Sequence, residues 1–285
     1  MVKFGPGGNC DWFYESGYKN TYQVPEFLGK IGLDAYEIQC GRGVRMRDDA
    51  ALKLKKSAEE NKITLSVHAP YYISMSSTDE EKRLNSINYI LQSASLAALS
   101  GAKRIVIHSG SCSKISRERA LELAVDTMKQ AVAAMDSNGY SGISMCPETM
   151  GKVNQLGTLE EVLELCSVDE RIIPTIDFGH INAREQGCLY KSDDFEAVID
   201  KIQNRLGEFR AKNFHVHFSK IEYSAGGEKR HLTFEDKQYG PEFEPFAEVI
   251  LKRGLSPVII CESAGTMSKD ALFMKNTLKK LEKSF

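Results

Sequence analysis

Short apolar segments alternate with longer amphipathic segments along the chain, and this alternation limits the folds that it can adopt. Eight of the short segments have strand length and are rich in Val, Ile or aromatic residues. They cover residues 2–5, 33–39, 63–69, 104–109, 142–148, 172–177, 214–218 and 257–263. Eight units in 285 residues give roughly 36 residues per unit, the size of the repeating unit in a (β/α)8 barrel. The sequence therefore predicts the α/β class and a (β/α)8 TIM barrel, with residues 1–285 as a single domain.

A doubly wound open sheet is the competing architecture. Such sheets often carry a glycine-rich phosphate loop after the first strand. The GPGG segment at residues 5–8 does not match G-x-G-x-x-G, and the sequence contains no Walker motif. These observations favour the barrel.

Capping residues predict where several helices begin and end. The amphipathic segment 78–101 ends at Gly101, and the segment 115–139 ends at Gly139, so both glycines are expected to act as C-caps. Thr158 is followed three residues later by Glu161, which predicts a capping box at the start of a helix.

Composition narrows the classes of protein. Acidic and basic residues nearly balance, giving a formal net charge of -2, so nucleic-acid binding would require a local basic patch. The longest apolar runs fall short of the about 20 residues that span a bilayer, and the N-terminus lacks the pattern of a signal peptide. The seven cysteines form no C-x-x-C pair. We therefore expect a cytoplasmic protein without disulfides, with Cys146 and Cys261 buried as free thiols.

Histidine and carboxylate side chains fall at the carboxyl ends of predicted strands three, four, five, six and eight. In that order they are His68, His108, Glu148, Asp177 and Glu262. His215 and His217 lie on strand seven. The remaining histidines, His180 and His231, fall in the loops after strands six and seven. In a barrel all these positions converge on one mouth. Carboxylates crowded there repel one another unless a cation lies between them, and imidazole with carboxylate suits zinc, manganese or iron.

The number of ligands indicates more than one ion. Glu148, Asp177, a histidine of strand seven and Glu262 already supply the four ligands that one ion needs. His68 and His108 would then be unused unless a second ion lies beside the first, with Glu148 between them. His180 and His231 could hold a third ion. Closely spaced ions are used for in-line displacement at phosphorus, so hydrolysis of a phosphodiester is the leading chemistry.

All the candidate ligands except His215 lie within seven short segments, which are HAPYYIS (68–74), IVIHSGS (105–111), PETMGK (147–152), TIDFGHINA (175–183), VHFSK (216–220), KRH (229–231) and ES (262–263). In these segments the chain resembles the endonuclease IV family of apurinic/apyrimidinic endonucleases, which are TIM barrels with three zinc ions. The first two strands match more weakly. The resemblance implies a monomer that cleaves duplex DNA on the 5′ side of abasic sites in base excision repair.

The resemblance also implies roles for individual residues. One zinc ion would be held by His68, His108 and Glu148. The second would be held by Glu148, Asp177, His217 and Glu262. The third would be held in part by His180 and His231. A hydroxide near Glu148 and Glu262 would attack the phosphorus, and the third ion would stabilise the departing oxygen.

Two positions depart from the family pattern. Lys229 stands where the family has an aspartate ligand of the third ion, and an ammonium group cannot replace it. Glu228 could substitute if the loop shifts, or Lys229 could act as a catalytic cation for the leaving group. On strand seven, His215 and His217 share one side; the VHFSK match favours His217 and leaves His215 as a neighbouring group or an additional ligand.

A basic loop and nearby aromatic residues are candidates for DNA contacts. The loop GRGVRMR (41–47) follows strand two, and its arginines could neutralise phosphates, although a solvated surface loop has the same composition. Tyr72 and its neighbour Tyr71 could stack on a base or sugar, or could belong to the core. The remaining candidates on this face are Arg42, Arg45 and Arg47 within the loop, Ser109, and the loop 220–229.

A sugar isomerase or epimerase of the same barrel group is the main alternative. It would use a single divalent ion held by Glu148, Asp177, His217 and Glu262, and two glutamates beside an ion can move a proton next to a carbonyl. This alternative leaves the other four histidines at the mouth unexplained. A metal-binding or nucleic-acid-binding protein without catalysis is a third hypothesis.

Overall fold

A computed structural model describes residues 1–112 and 115–284. The strands within these residues are β1 (Lys3–Pro6), β2 (Ala35–Gln39), β3 (Thr64–His68), β4 (Arg104–Ile107), β5 (Ser144–Pro147), β6 (Thr175–Asp177), β7 (His215–Phe218), β8 (Ile221–Ser224), β9 (Gly227–His231) and β10 (Val258–Cys261). The helices are α1 (Asp11–Glu15), α2 (Val24–Ile31), α3 (Asp48–Asn61), α4 (Glu80–Ser100), α5 (Arg117–Ser137), α6 (Leu159–Cys166), α7 (Phe178–Arg184), α8 (Ser192–Leu206), α9 (Glu208–Asn213), α10 (Glu244–Arg253) and α11 (Met267–Glu282).

The parallel strands close into a barrel. One ladder has the order β1-β10-β7-β6 and the other the order β2-β3-β4-β5. Parallel bridges between Gly7 and Glu37 and between Glu148 and Thr175 join the two ladders at both seams. A Cβ atom on Gly5 would lie 1.7 Å from the carbonyl oxygen of Ala35, so glycine allows β1 to approach β2 this closely. The predicted (β/α)8 barrel is confirmed.

The eight predicted strands are present, with their ends shifted by up to three residues. His108, Glu148 and Glu262 therefore lie one residue beyond their strands. Two expectations about loops are wrong. His180 lies within helix α7, because Asp177 caps that helix directly after β6. The segment expected to be a loop at 220–229 forms most of an antiparallel hairpin, β8 and β9.

The helix ends largely follow the predicted caps. Helix α4 ends at Gly101 in the left-handed conformation, with φ of 82°. Thr158 and Glu161 form the predicted capping box of α6. The prediction for Gly139 is one residue too late, because Asn138 occupies the C-cap of α5 and Gly139 follows it with φ of 78°. No helix among the described residues is long and apolar enough to cross a lipid bilayer.

The core between barrel and helices contains a cluster of phenylalanine rings around Phe246 of α10. Its ring centroid lies 4.4 Å from that of Phe178 and 5.6 Å from that of Phe195, and further rings approach it from β7 and from the start of α10. Phe246 is fully buried, as are Cys146 and Cys261, which are free thiols. This packing holds α8 and α10 against the strands that carry part of the mouth.

Replacement Phe246→Ala is expected to lower the free energy of unfolding by about 3–5 kcal/mol, because it removes a large buried ring and leaves a cavity. Thermal or urea unfolding followed by circular dichroism measures this. Phe209 is a matched control, since its side chain is 73% exposed, and Phe209→Ala should change the value by less than about 0.5 kcal/mol. Equal effects of the two substitutions would contradict this description of the core.

Candidate metal centre

The carboxyl ends of the barrel strands surround a cavity of about 410 Å³. Its lining combines titratable, amide, aromatic and thioether side chains, namely His68, Tyr71, His108, Glu148, Met150, Lys152, Gln155, His180, Glu228, His231 and Glu262. The parallel strands and the segments that directly follow them bring these residues to one place, because the strand ends meet at the same face of the barrel. The structure thus brings together most of the ligands predicted from the sequence.

Glu148 lies at the centre of this group. Its Oε2 atom is 3.1 Å from His108 Nε2 and 3.4 Å from His68 Nε2. Its Oε1 atom is 3.0 Å from His217 Nδ1 and 3.4 Å from His180 Nδ1. The two oxygens thus face different histidines, an arrangement that allows one carboxylate to bridge two neighbouring cations.

A four-residue cluster occupies one side of Glu148. Glu148, Asp177, His217 and Glu262 can each direct one ligand atom so that these atoms lie within 4.8 Å of one another. Asp177 Oδ1 accepts a hydrogen bond from the backbone N–H of His180 at 2.7 Å, which fixes the carboxylate at the start of α7. His217 Nδ1 is 3.4 Å from Glu262 Oε2. His68, His108 and Glu148 form the adjoining cluster on the other side.

A third cluster consists of His180, Glu228 and His231. Glu228 Oε2 is 3.4 Å from His180 Nε2, and Glu228 Oε1 is 3.9 Å from His231 Nε2. A Cβ atom on Gly151 would lie 2.6 Å from Glu228 Cβ and 2.8 Å from His180 Cδ2. Glycine at this position therefore makes room for the third cluster.

A β-bulge determines which residue of β9 enters the mouth. Arg230 pairs with Glu222 and Glu228 pairs with Tyr223, so Lys229 is the extra residue between them. In a regular strand, residues three apart face opposite sides. The bulge places Glu228 on the same side as His231. The hypothesis that Glu228 substitutes for the missing aspartate agrees with this geometry.

The catalytic role expected for Lys229 is not supported by its position. Its ammonium group pairs with Glu222, and its side chain is 53% exposed. Glu222 also accepts a hydrogen bond from Arg230 Nε at 2.7 Å. Because the bulged residue points outward, Lys229 lies on the outer face of the hairpin and does not line the cavity.

Burial and charge oppose each other at the ligand side chains. Burial by itself lowers the pKa of His68 and His180, but the surrounding carboxylates raise their pKa values to about 9 and about 10. Burial by itself raises the pKa of Glu262, but His217 lowers it to about 2. At Asp177 burial dominates, and its pKa is raised. The acidic groups of the mouth therefore depend on adjacent positive charge.

The side chains fit divalent cations. Glu148 Oε2 and Asp177 Oδ2 are buried, and although imidazole nitrogens lie 3.1–3.4 Å away, neither oxygen makes a well-aligned hydrogen bond with any residue that the structure describes. A buried carboxylate oxygen without a well-aligned donor is costly, and a cation would satisfy it. The donors are imidazole and carboxylate, which suit zinc, manganese and iron. Separations within 4.8 Å allow metal–ligand bonds of about 2.0–2.2 Å.

Glu37 is a buried residue of the site that the sequence analysis missed. It lies in β2 below the mouth, and its Oε2 atom accepts hydrogen bonds from Ser66 Oγ at 2.8 Å and from His215 Nε2 at 3.0 Å. His215, expected as an additional ligand, faces Glu37 and forms with Glu37 and His217 a further buried group, whose ligand atoms also lie within 4.8 Å of one another. Burial by itself raises the pKa of Glu37, but His217 and His215 lower it well below its usual value. A glutamate among the apolar residues of segment 35–38 was the available signal.

The three arginines proposed to contact DNA line a separate cavity of about 880 Å³ between the loops after β1 and β2. Gln39 is also in this lining, and its Nε2 atom lies 3.3 Å from Glu262 Oε1, so this cavity adjoins the metal centre. The other aromatic and basic residues of the lining are Tyr14, Tyr22, Tyr36 and Lys53. The arginine loop, residues 41–47, therefore forms part of the rim and does not reach the ligand clusters.

Three further candidates for DNA contacts differ in their position relative to the cavity. Tyr71 lines the metal cavity, with its ring centroid 5.5 Å from that of His108. Tyr72 does not line this cavity and packs against Tyr89 at 5.6 Å. Ser109 is fully buried, so it is not available to a ligand at the surface.

Comparison with known proteins relates this architecture to enzymes with different activities. A family model described as a xylose isomerase-like TIM barrel matches residues 25–277. The chain is 33% identical over 257 residues to the uncharacterized protein MJ0133 of Methanocaldococcus jannaschii, which covers 90% of this chain and 92% of that protein. It is 30% identical over 182 residues to a probable endonuclease 4 of Mycoplasma genitalium. That match covers 62% of this chain and 59% of the relative, so the chain spans about three fifths of the relative's length.

Solved structures show the same fold. A D-tagatose 3-epimerase-like protein superposes with a TM-score of 0.73 at 21% identity, over 99% of this chain and 97% of that chain. Endonuclease IV from Thermus thermophilus superposes with a TM-score of 0.69 at 20% identity, over 99% of this chain and 100% of that chain. At these identities the likeness establishes the fold and does not select an activity.

The third cluster predicts a difference between two adjacent substitutions. Glu228→Gln should reduce the metal content of the zinc-loaded protein by about one ion per chain, because it removes the only carboxylate of that cluster. Lys229→Gln is the matched control and should leave the content unchanged. Elemental analysis after dialysis against metal-free buffer measures both. Loss of an ion from the Lys229 variant alone would contradict the bulge geometry.

Proposed function

This chain belongs to the xylose isomerase-like TIM barrel family, and we propose that within this family it is a metal-dependent phosphodiester hydrolase that cleaves DNA on the 5′ side of abasic sites. One observation carries the proposal. The four-residue cluster of Glu148, Asp177, His217 and Glu262 adjoins two further ligand clusters in the same mouth. A single-ion reaction has no use for those additional clusters, whereas displacement at phosphorus uses several adjacent ions.

The bound ions would polarise a water molecule and neutralise charge on the phosphate oxygens. Zinc is the ion proposed, in two or three sites, and manganese or iron suits the same donors. His68 and His108 would hold one ion with Glu148. His180, Glu228 and His231 would hold the ion of the third cluster. Glu228 in this proposal supplies the carboxylate that the family pattern has at the position of Lys229.

Glu262 is the proposed proton acceptor. It lines the cavity and is more accessible than Glu148, with 17% of its side chain exposed against 1% for Glu148. His217 lowers its pKa to about 2 against the effect of burial, so the carboxylate is ionised at neutral pH and can accept a hydrogen bond from a water molecule. Gln39 donates to its Oε1 atom at 3.3 Å and fixes the carboxylate.

Other side chains of the cavity are placed to bind a sugar phosphate. Lys152 and Gln155 lie in the lining on the side of the third cluster, where an ammonium and an amide can contact phosphate oxygens. Tyr71 offers an aromatic face beside His108. An abasic nucleotide lacks its base, and a cavity of about 410 Å³ suits such a compact, anionic unit.

The arginine loop is the proposed contact with the DNA backbone. Its three arginine side chains are exposed at the rim of the mouth. The chain as a whole has a net charge of -2, so attraction to DNA requires this kind of local concentration of positive charge. Phosphate contacts of this type would set the position of the duplex without selecting its sequence.

Epimerisation of a sugar is the second candidate. It is favoured by the geometry of one cluster, since Glu148 and Glu262 flank a centre completed by Asp177 and His217. Two carboxylates on either side of a bound sugar could remove and return a proton at one carbon. This reaction would use the same four ligands and would leave the third cluster without a role.

The test is cleavage of a labelled duplex that carries one tetrahydrofuran abasic analogue, with the zinc-loaded protein. We expect a single cut on the 5′ side of the analogue, no cut in the intact duplex, and loss of activity with a chelator. Glu262→Gln should reduce the rate at least about 100-fold, because it removes the proton acceptor. Glu59→Gln, an exposed carboxylate at the end of α3, is the control and should cleave normally.

Intact DNA in the presence of fully loaded protein would refute this proposal. Ketohexoses should then be incubated with the same preparation and followed by NMR for exchange of the hydrogen next to the carbonyl. Exchange that disappears in Glu148→Gln and Glu262→Gln would establish the epimerase candidate. Absence of both reactions would favour a role in binding without catalysis.

Replacing Arg42, Arg45 and Arg47 by Ala should weaken the binding of abasic duplex and lower the salt dependence of its affinity. Removal of one side chain that binds a phosphate reduces the slope of log K against log salt by about one. Replacing Lys279, Lys280 and Lys283 is the control, because these lysines lie at the opposite end of the barrel, at the end of α11. Fluorescence anisotropy across a salt series measures both. Equal slopes for the two triple variants would contradict the proposed interface.

A further inference from the structure

We propose that Glu37 is a positioning residue of the metal centre, which sets the tautomer and orientation of His217. This inference rests on the proposed metal centre but not on the substrate that the centre acts on. Glu37 is fully buried in β2, one layer below the cluster formed by Glu148, Asp177, His217 and Glu262. It contacts no substrate, and its effect on the reaction would pass through the imidazole of His217.

The two nitrogens of His217 face different carboxylates. Nδ1 points towards the mouth, 3.0 Å from Glu148 Oε1 and 3.4 Å from Glu262 Oε2. Nε2 points down into the barrel, 2.9 Å from Glu37 Oε1. Nε2 makes no fully formed hydrogen bond with any residue that the structure describes. The carboxylate of Glu37 is therefore the acceptor within reach of its proton.

This arrangement matters because a neutral imidazole carries one proton. To serve as a ligand, Nδ1 must be unprotonated, and the proton must then lie on Nε2. A carboxylate within hydrogen-bonding distance of Nε2 favours that tautomer and makes Nδ1 a better electron donor. Without Glu37, the tautomer with the proton on Nδ1 would be favoured by Glu148, and Nδ1, the nitrogen that faces the mouth, could then not bind a cation.

Glu37 is itself held in place from the other side of its carboxylate. Ser66 and His215 both donate to Oε2, which leaves Oε1 directed at His217. Ser66 belongs to β3 and His215 to β7, on different ladders of the barrel. Gln39, two residues further along β2, donates weakly to Glu37 at 3.5 Å and to Glu262 at 3.3 Å. Strand β2 supplies no ligand to the three clusters, but its side chains orient two of the ligands, His217 and Glu262.

The effect of Glu37 should be confined to one cluster. His180, Glu228 and His231 of the third cluster make no contact with Glu37 among the interactions of the described residues. Loss of the carboxylate should therefore weaken binding at the His217 cluster and leave the third cluster unchanged. A general loss of stability would lower binding at both.

The experiment is Glu37→Gln, with zinc affinity measured by competition against a chelating dye and with the visible absorption of the cobalt-loaded protein recorded. We expect one ion to bind about 10–100-fold more weakly, a changed cobalt spectrum, and an unchanged affinity at the third cluster. Asp270→Asn is the matched control, because Asp270 is a buried carboxylate on α11 that accepts hydrogen bonds from Thr266 Oγ1 and from the backbone N–H of Phe234 and belongs to none of the ligand clusters. It should alter neither affinity nor spectrum.

A folded Glu37→Gln protein with unchanged zinc affinity and unchanged cobalt spectrum would overturn the inference. If that variant does not fold, Ser66→Ala provides the test, since it removes one of the hydrogen bonds that hold the same carboxylate. It should weaken the same ion by a smaller factor, and no change would again overturn the inference. Neither measurement involves DNA. A metal effect without DNA cleavage would therefore refute the proposed function and leave the role of Glu37 intact.

Discussion

The mouth of the barrel is organised around one buried carboxylate, that of Glu148. Its two oxygens lie within 3.4 Å of imidazole nitrogens from β3, the end of β4, α7 and β7. A buried negative charge is costly unless positive or polar groups surround it. Here the barrel delivers those groups from four directions, because its parallel strands end at the same face. Loss of this carboxylate would leave the other side chains without a common partner.

The hairpin after β7 shows how the side chains at the periphery of the mouth can change while the barrel stays the same. A bulge at Lys229 turns the side chain of Glu228 to the same side of the hairpin as His231, so that Glu228 lies beside His180 and His231. Gly151 supplies the space that this carboxylate needs. The same bulge turns Lys229 outward to Glu222. One inserted position thus exchanges a cation for an anion in the site without altering the barrel.

The fold by itself does not select an activity, since an epimerase-like protein and an endonuclease IV superpose on this chain equally completely. What distinguishes candidates is the set of groups added to the four ligands that a single ion needs. Here the additions are two further clusters, and a separate cavity rimmed by the arginine loop that meets the centre at Gln39. Beneath them, Glu37 links the strands of both ladders to the ligand His217. The site therefore has a layered construction, with charge at the rim, ligands in the mouth and a polar support within the barrel.

The sequence by itself determined the barrel and the end of each strand at which ligands lie, because strand length, order and apolar patterning are local properties. The sequence also favoured His217 over His215 as the candidate metal ligand of strand seven. Only the tertiary structure decided that Glu228 and not Lys229 lies beside His180 and His231, that Tyr71 and not Tyr72 lines the cavity, and that Glu37 lies 2.9 Å from His217. These outcomes depend on a bulge and on contacts between distant strands. One inserted residue turns the side chains that follow it in a strand to the opposite face of the sheet. The spacing of residues within one segment also does not show which residue lies opposite it across the barrel.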